Sequence, residues 1–310
     1  MLYYLIVCRS LTYAQRTAAA LERAGITAHI LRSPKSIAGE GCSHSVKLSQ
    51  RPAGAPPGGA GTQKDLYHHR GRKLSGGGAV IYLDSAATTL QKPPEVARAS
   101  AWAIGHLASP GRGGHRPAMA AADAAFACRE EAAALFDVPE PERVVFTFNA
   151  THGLNLAIKS LVRPGDTVVV SGYEHNAVTR PLRAIPGVTV RVADSPLFDR
   201  AAALEAFRRA LTPEVRAAVC THVSNVFGFI LPIEDIAALC RSRGIPLIVD
   251  ASQSAGCLPI SLRQLGAAFI AMPGHKGLYG PQGTGLLLCG GAAEPLLEGG
   301  TGSVSLRQEI

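Results

Sequence analysis

The sequence is poor in the features that would settle its compartment or ligand directly. Aromatic residues make up 5% and charged residues 17% of the 310 positions. No apolar run approaches the roughly 20 residues needed to cross a bilayer. The apolar start at residues 1–7 is short and lacks a basic leader, so no targeting segment is expected. The seven cysteines contain no CxxC pair, which argues against a zinc site or a disulfide framework and for a reducing cytoplasm. No metal site is expected, and no internal repeat is visible. The net charge is +8, but the basic residues are dispersed apart from a cluster at residues 68–73. That cluster has no aromatic platform beside it, so neither nucleic acid nor membrane is an expected partner. A phosphate-bearing ligand is a simpler use of part of the positive charge.

What is present suits a soluble protein with a sizeable core, since 47% of the residues are hydrophobic. Three regions separate by composition. Residues 1–48 read as a small α+β domain. Strands are expected at 2–8 and 27–32. Between them a helix starts at Ser10 or Thr12 and stops at Gly25. A loop carrying Cys42 then enters a third strand. Residues 49–78 are rich in Gly, Pro and Ser and read as a flexible linker. Residues 79–310 alternate strands and helices. Apolar strands are expected at 143–148, 166–172, 188–192, 216–222, 245–250, 267–272 and 285–289, with helices at 117–136 and 233–243 among those between them. That alternation predicts an α/β fold with a mainly parallel sheet covered on both faces.

In such sheets ligands gather outside the carboxyl ends of the strands. Polar residues collect there: NATHGLN after residue 148, YEHNAV after 172, VSNVFG after 222, Asp250 with ASQSAG, and PGHKGLYGPQGTG after 272. Each group meets a need of pyridoxal phosphate (PLP). Lys276 supplies the amine for a Schiff base. Asp250 supplies a carboxylate for the pyridine nitrogen, keeping the ring an electron sink. Thr151 opens a helix, whose free N–H groups suit a phosphate, and His275 adds a donor. His175 offers a flat ring, and Gln253 and Asn225 offer amides to the ring oxygen. Alone, Asp250 reads equally well as a helix N-cap, His175 as a solvated loop histidine, and Lys276 as a surface lysine. Their conjunction at successive strand ends is what points to a cofactor site.

The segments YLDSAATT (82–89), GRGGH (111–115), FTFNATHGLNLAI (146–158), GYEHNAVTRPL (172–182), THVSNVFG (221–228), VDASQSAG (249–256) and PGHKGLYGPQGTG (273–285) together resemble the class V aminotransferase superfamily. The likeness is to its cysteine desulfurase and selenocysteine lyase branch. It implies the large domain of PLP-dependent transferase fold type I and a homodimer in the full-length protein. It implies PLP on Lys276, the pyridine nitrogen at Asp250, the ring face at His175, and the ring oxygen near Gln253 and Asn225. It places the phosphate at Ala150, Thr151 and His275, and the substrate near Arg112 and His115. Pro273 stands where relatives often have Ser or Thr, and His152 where they often have Glu. The implied reaction takes L-cysteine or L-selenocysteine to alanine and passes the chalcogen to a thiolate, because the thiol is a poor nucleophile.

Relatives continue beyond the equivalent of Ile310. A truncated, weakly active chain is therefore expected, without the nucleophilic cysteine or the arginine that binds the substrate carboxylate. Cys128, Cys220, Cys240, Cys257 and Cys289 read as helical or buried structural residues. Residues 1–48 resemble small selenium or sulfur carrier domains, which makes Cys42 either a sulfur or selenium acceptor or a structural cysteine. A separate acceptor protein is a further expected partner. The competing readings are another class V lyase or aminotransferase, a non-catalytic PLP-binding scaffold, and a carrier module docked on an inactive body.

Overall fold

The computed structural model describes residues 4–8, 22, 28–32, 44–48, 82–111 and 113–298. Contacts divide the chain into two units, Met1–Leu83 and Asp84–Ile310. In the first unit β1 (Tyr4–Cys8), β2 (Ala28–Arg32) and β3 (His44–Leu48) form a sheet in the order β1-β3-β2. Both outer strands run antiparallel to β3, with Ile6 and Ile30 opposite Val46. β1 and β2 therefore point the same way, which requires a crossover connection between them. Glu22 is helical, within the span expected for that connection. Cys42 and the linker at 49–78 lie outside the described residues.

The second unit is a seven-stranded sheet in the order β4-β10-β9-β8-β7-β5-β6. Its strands are β4 (Val144–Thr147), β5 (Thr167–Ser171), β6 (Thr189–Ala193), β7 (Val215–Thr221), β8 (Leu247–Asp250), β9 (Phe269–Pro273) and β10 (Gly285–Cys289). Each falls within a residue or two of its expected position. β6, β5, β7, β8 and β9 are parallel. β10 runs antiparallel to both β9 and β4, so β4 shares the direction of the other five. Six strands thus end on one edge of the sheet. The expected mainly parallel sheet is present, with one reversed strand.

Strand pleating explains why the central strands are almost continuously apolar. Successive side chains point to opposite faces, and both faces are covered. Val168 and Val170 of β5, Ile248 of β8 and Phe269 and Ala271 of β9 pack on one face with Leu154 and Ile158. The latter two belong to α3 (Ala150–Leu161), which lies with α4 (Asn176–Ala184) on that side. Val169, Val249, Ile270 and Met272 pack on the other face. There they meet α2 (Arg116–Leu135), α5 (Arg200–Ala210), α6 (Ile233–Ser242) and the single turn α7 (Leu262–Leu265). α1 (Pro94–His106) buries none of its residues.

Local signals set the helix boundaries. Asn149, Asp199 and Ser261 accept a backbone N–H three residues on and start α3, α5 and α7. Gly266, in the left-handed region, ends α7. Among the described residues no helix is long and apolar enough to cross a membrane.

Ile248 is fully buried at the centre of the sheet. Replacing it with Ala should cost about 2–5 kcal/mol, and with Val about 0.5–1.5 kcal/mol. Urea denaturation followed by far-UV circular dichroism checks both values.

Candidate active site

The shared edge holds a cleft of about 110 Å³, and each wall begins where a strand ends. After β4, Thr147 Oγ1 donates to the Asn149 carbonyl at 3.0 Å. The Asn149 side chain accepts the His152 N–H at 2.9 Å. Asn149 is therefore the cap of α3, and Ala150 and Thr151 are its first two residues, facing the cleft. Their N–H groups belong to the first turn, which no helical carbonyl can satisfy. β10 approaches this cap so closely that a side chain at Gly285 would meet Thr147 Oγ1 at 2.7 Å and the Asn149 backbone at 2.9 Å.

After β5 the chain presents Glu174 and His175. His175 caps α4, its Nδ1 accepting the Ala177 N–H at 3.1 Å. That bond assigns the proton of the neutral ring to Nε2. Burial of the ring pushes its pKa below the ordinary histidine value. Asp250 pulls it up, and Lys276 and Arg180 push it down. The imidazole is accordingly neutral at neutral pH and carries one free N–H.

After β7, Thr221, Val223 and the half-buried Asn225 line the cleft. After β8, Asp250 is 3% exposed. Its Oδ1 accepts from Ser252 N at 2.9 Å and Ser252 Oγ at 2.5 Å. The segment that follows is a run of turns rather than a helix, so Asp250 caps a turn and is not a helix N-cap. Gln253 lines the cleft, but its Nε2 already donates to the Ala86 carbonyl at 2.9 Å.

Pro273 ends β9, and His275 and Lys276 follow it. Pro273 brings no hydroxyl. The lysine loop is clasped by the segment before α1. Thr88 Oγ1 donates to the His275 carbonyl at 3.1 Å, Thr89 Oγ1 to the Lys276 carbonyl at 2.6 Å, and Lys92 Nζ to the His275 carbonyl at 3.3 Å. His275 Nδ1 also lies 3.0 Å from Thr88 Oγ1. With the threonine proton directed at the His275 carbonyl, Nδ1 is the donor of that pair, and Nε2 donates only when the ring is doubly protonated. Burial, Lys276 and Lys92 hold the His275 pKa below its usual value.

The structure therefore brings Ala150, Thr151, His175, Asn225, Asp250, Gln253, His275 and Lys276 around one cleft. His115 does not line it; it is exposed and starts α2. Arg112 lies outside the described residues. Cys220, Cys240 and Cys289 are buried. Burial pushes Cys240 up to about 12 and Cys289 up to about 11, so both are inert thiols near neutrality. Cys257 departs from the expected helical or buried setting: it is exposed and sits in a turn. No group of His, Cys, Asp and Glu suited to a metal ion occurs among the described residues.

Sequence reasoning assigned no role to Thr88, Thr89, Ser252 or Glu174. The two threonines stood in YLDSAATT and Glu174 directly before His175, both inside recognisable segments. The threonines bind carbonyls distant in sequence, Glu174 reaches Ser171 and the distant Thr221, and Ser252 pairs with Asp250, none of which composition and spacing reveal.

Gly256 has φ +78°, and a Cβ there would lie 2.5 Å from the Gly277 carbonyl oxygen, next to Lys276. Gly256→Ala should destabilise the chain by about 1–3 kcal/mol. It should also speed amide hydrogen exchange across residues 274–280, whereas an overpacked core elsewhere would leave that segment unchanged.

The aminotransferase class-V family profile matches residues 81–310. A probable cysteine desulfurase of Methanothermobacter thermautotrophicus is 34% identical over 229 residues, 71% of this chain and 56% of the relative. The apo structure of a cysteine desulfurase from Thermococcus onnurineus NA1 superposes with a TM-score of 0.65 at 30% identity, covering 72% of this chain and 57% of that one. A structure of SspA in complex with cysteine gives a TM-score of 0.64 at 29% identity, covering 74% and 67%. The chain spans about half the length of the curated relatives it matches. With the profile covering most of the sequence and the sheet order and strand-end cleft in place, this chain belongs to the class-V aminotransferase family.

Proposed function

We propose that this chain forms the cofactor-binding body of a PLP-dependent cysteine desulfurase, in which L-cysteine plus a thiol gives L-alanine plus a persulfide. The observation that carries the proposal is the meeting of Lys276, Asp250, His175 and the start of α3 in one cleft. The names of the relatives and the cysteine complex of SspA support the choice of substrate. Selenocysteine differs only in the chalcogen, and product analysis separates the two.

The donor set fits PLP: an amine, a carboxylate, a flat neutral ring and a helix N-terminus around a single cleft. When bound, the cofactor supplies an electron sink for the carbon next to the amino group. Lys276 would hold it covalently through Nζ and, when released, carry protons to and from the substrate. Asp250 would hold the proton at the ring nitrogen, its other oxygen fixed by Ser252. His175 would cover the ring face, with the Nε2 proton as its remaining donor. The first N–H groups of α3 and the Thr151 hydroxyl would hold the phosphate, with the His275 ring beside them. Asn225 and Gln253 would face the ring oxygen, Gln253 after giving up its bond to Ala86. His115 and Arg112 remain the proposed substrate contacts.

The sulfur-accepting thiolate is not Cys240 or Cys289, whose burial keeps them protonated. Cys42 and a separate acceptor protein are the proposed recipients, and the cytoplasm the proposed location. A second copy of the chain is the proposed partner for the exposed Trp102 and Ile104 on α1.

The test is the absorbance of the chain mixed with PLP. A visible-edge band that shifts on borohydride addition is expected, and it should be absent in Lys276→Ala. Asp250→Asn should keep the band and lower alanine formation from cysteine by about 100-fold or more. A band that survives in Lys276→Ala would refute the proposal.

A further inference from the structure

We infer that Glu174 is a neutral carboxylic acid that positions the end of β7 beside Asp250. The geometry is specific. Glu174 Oε1 accepts two hydrogen bonds, from Ser171 Oγ at 2.5 Å and from the Thr221 N–H at 2.7 Å. Oε2 is buried and has no partner. An ionised carboxylate would leave charge on an oxygen with neither donor nor solvent, whereas a proton on Oε2 removes that charge. Thr221 pairs directly with Asp250 in the parallel ladder of β7 and β8. The Glu174 carboxyl thus ties the end of β5 to the strand that flanks Asp250.

The titratable neighbours act in the same direction. Asp250 on β8 repels a charge on Glu174. Cys220 on β7 is itself pushed well up by burial, then by Glu174, Cys240 and Asp250, and stays a thiol. Glu174 is raised to about 8, chiefly by burial; the Ser171 bond lowers it, Asp250 raises it, and the Thr221 bond lowers it. Its folded value lies above the ordinary 4.5. The stability it contributes is therefore fully present below that ordinary value and is lost as pH rises through about 8. The role of Glu174 as a positioning residue for a PLP site rests on the function proposed above. Its protonation does not.

Infrared spectroscopy and denaturation of the chain without cofactor test the protonation. A protonated-carboxyl stretch is expected at neutral pH, fading with a midpoint near about 8 and absent in Glu174→Gln. The denaturation midpoint of the wild type should fall from pH about 6 to about 9, and that of Glu174→Gln, which keeps the shape without the ionisation, should fall less. No such stretch, or parallel loss of stability in both proteins, would overturn the inference. With PLP added, the band of Glu174→Gln should match the wild type near neutrality and depart from it above about 8; matching bands across the whole range would overturn the positioning role. Failure of the PLP reading itself would show separately, as no band in either protein while the infrared and denaturation results stand.

Discussion

Everything in the larger unit depends on six strands ending along one edge of a sheet whose central strands are buried on both faces. The central strands have little surface on which to carry polar side chains, so polarity collects at their ends. Thr147, Ser171, Thr221 and Asp250 are the last residues of β4, β5, β7 and β8, and all four are buried polar groups. β10, which runs the other way, brings its first residue to the same edge. That residue is Gly285, because the α3 cap leaves no room for a side chain.

Crowding polar groups at a buried edge costs solvation, and the structure offsets that cost unevenly. Asp250 is compensated by Ser252, and Glu174 by Ser171 and Thr221 on one oxygen only. His175 spends its Nδ1 on capping α4 and keeps Nε2 for the cleft. The loop bearing Lys276 has no regular structure of its own. Its carbonyls are instead held by Thr88, Thr89 and Lys92 from the start of the unit. These bonds fix the backbone at His275 and Lys276 without engaging the carbonyls through a helix or a strand.

The layered fold was legible because its two determinants are local. Apolar runs of strand length alternated with helical periodicity, and polar segments followed the runs. The residues of the cleft were legible for the same reason: they stand at or just after the ends of β4, β5, β7, β8 and β9. The reversal of β10 was not, since GLLLC carries no mark of direction and a buried antiparallel strand has the same composition as a parallel one. Nor were the tertiary bonds that redefine single residues. The Gln253 amide is taken by a carbonyl at position 86, and the His275 ring by a hydroxyl at position 88. The run of turns after Asp250 was not legible either, since ASQSAG carries no mark that separates turns from a helix start.

The central claim is that Lys276 is the one amine this edge presents to a cofactor aldehyde. Borohydride reduction of the chain mixed with PLP, followed by peptide mapping by mass spectrometry, tests it directly. The account predicts a single phosphopyridoxyl adduct on the peptide containing Lys276. An adduct on Lys92 or Lys159 instead, or label spread evenly over the lysines, would contradict it.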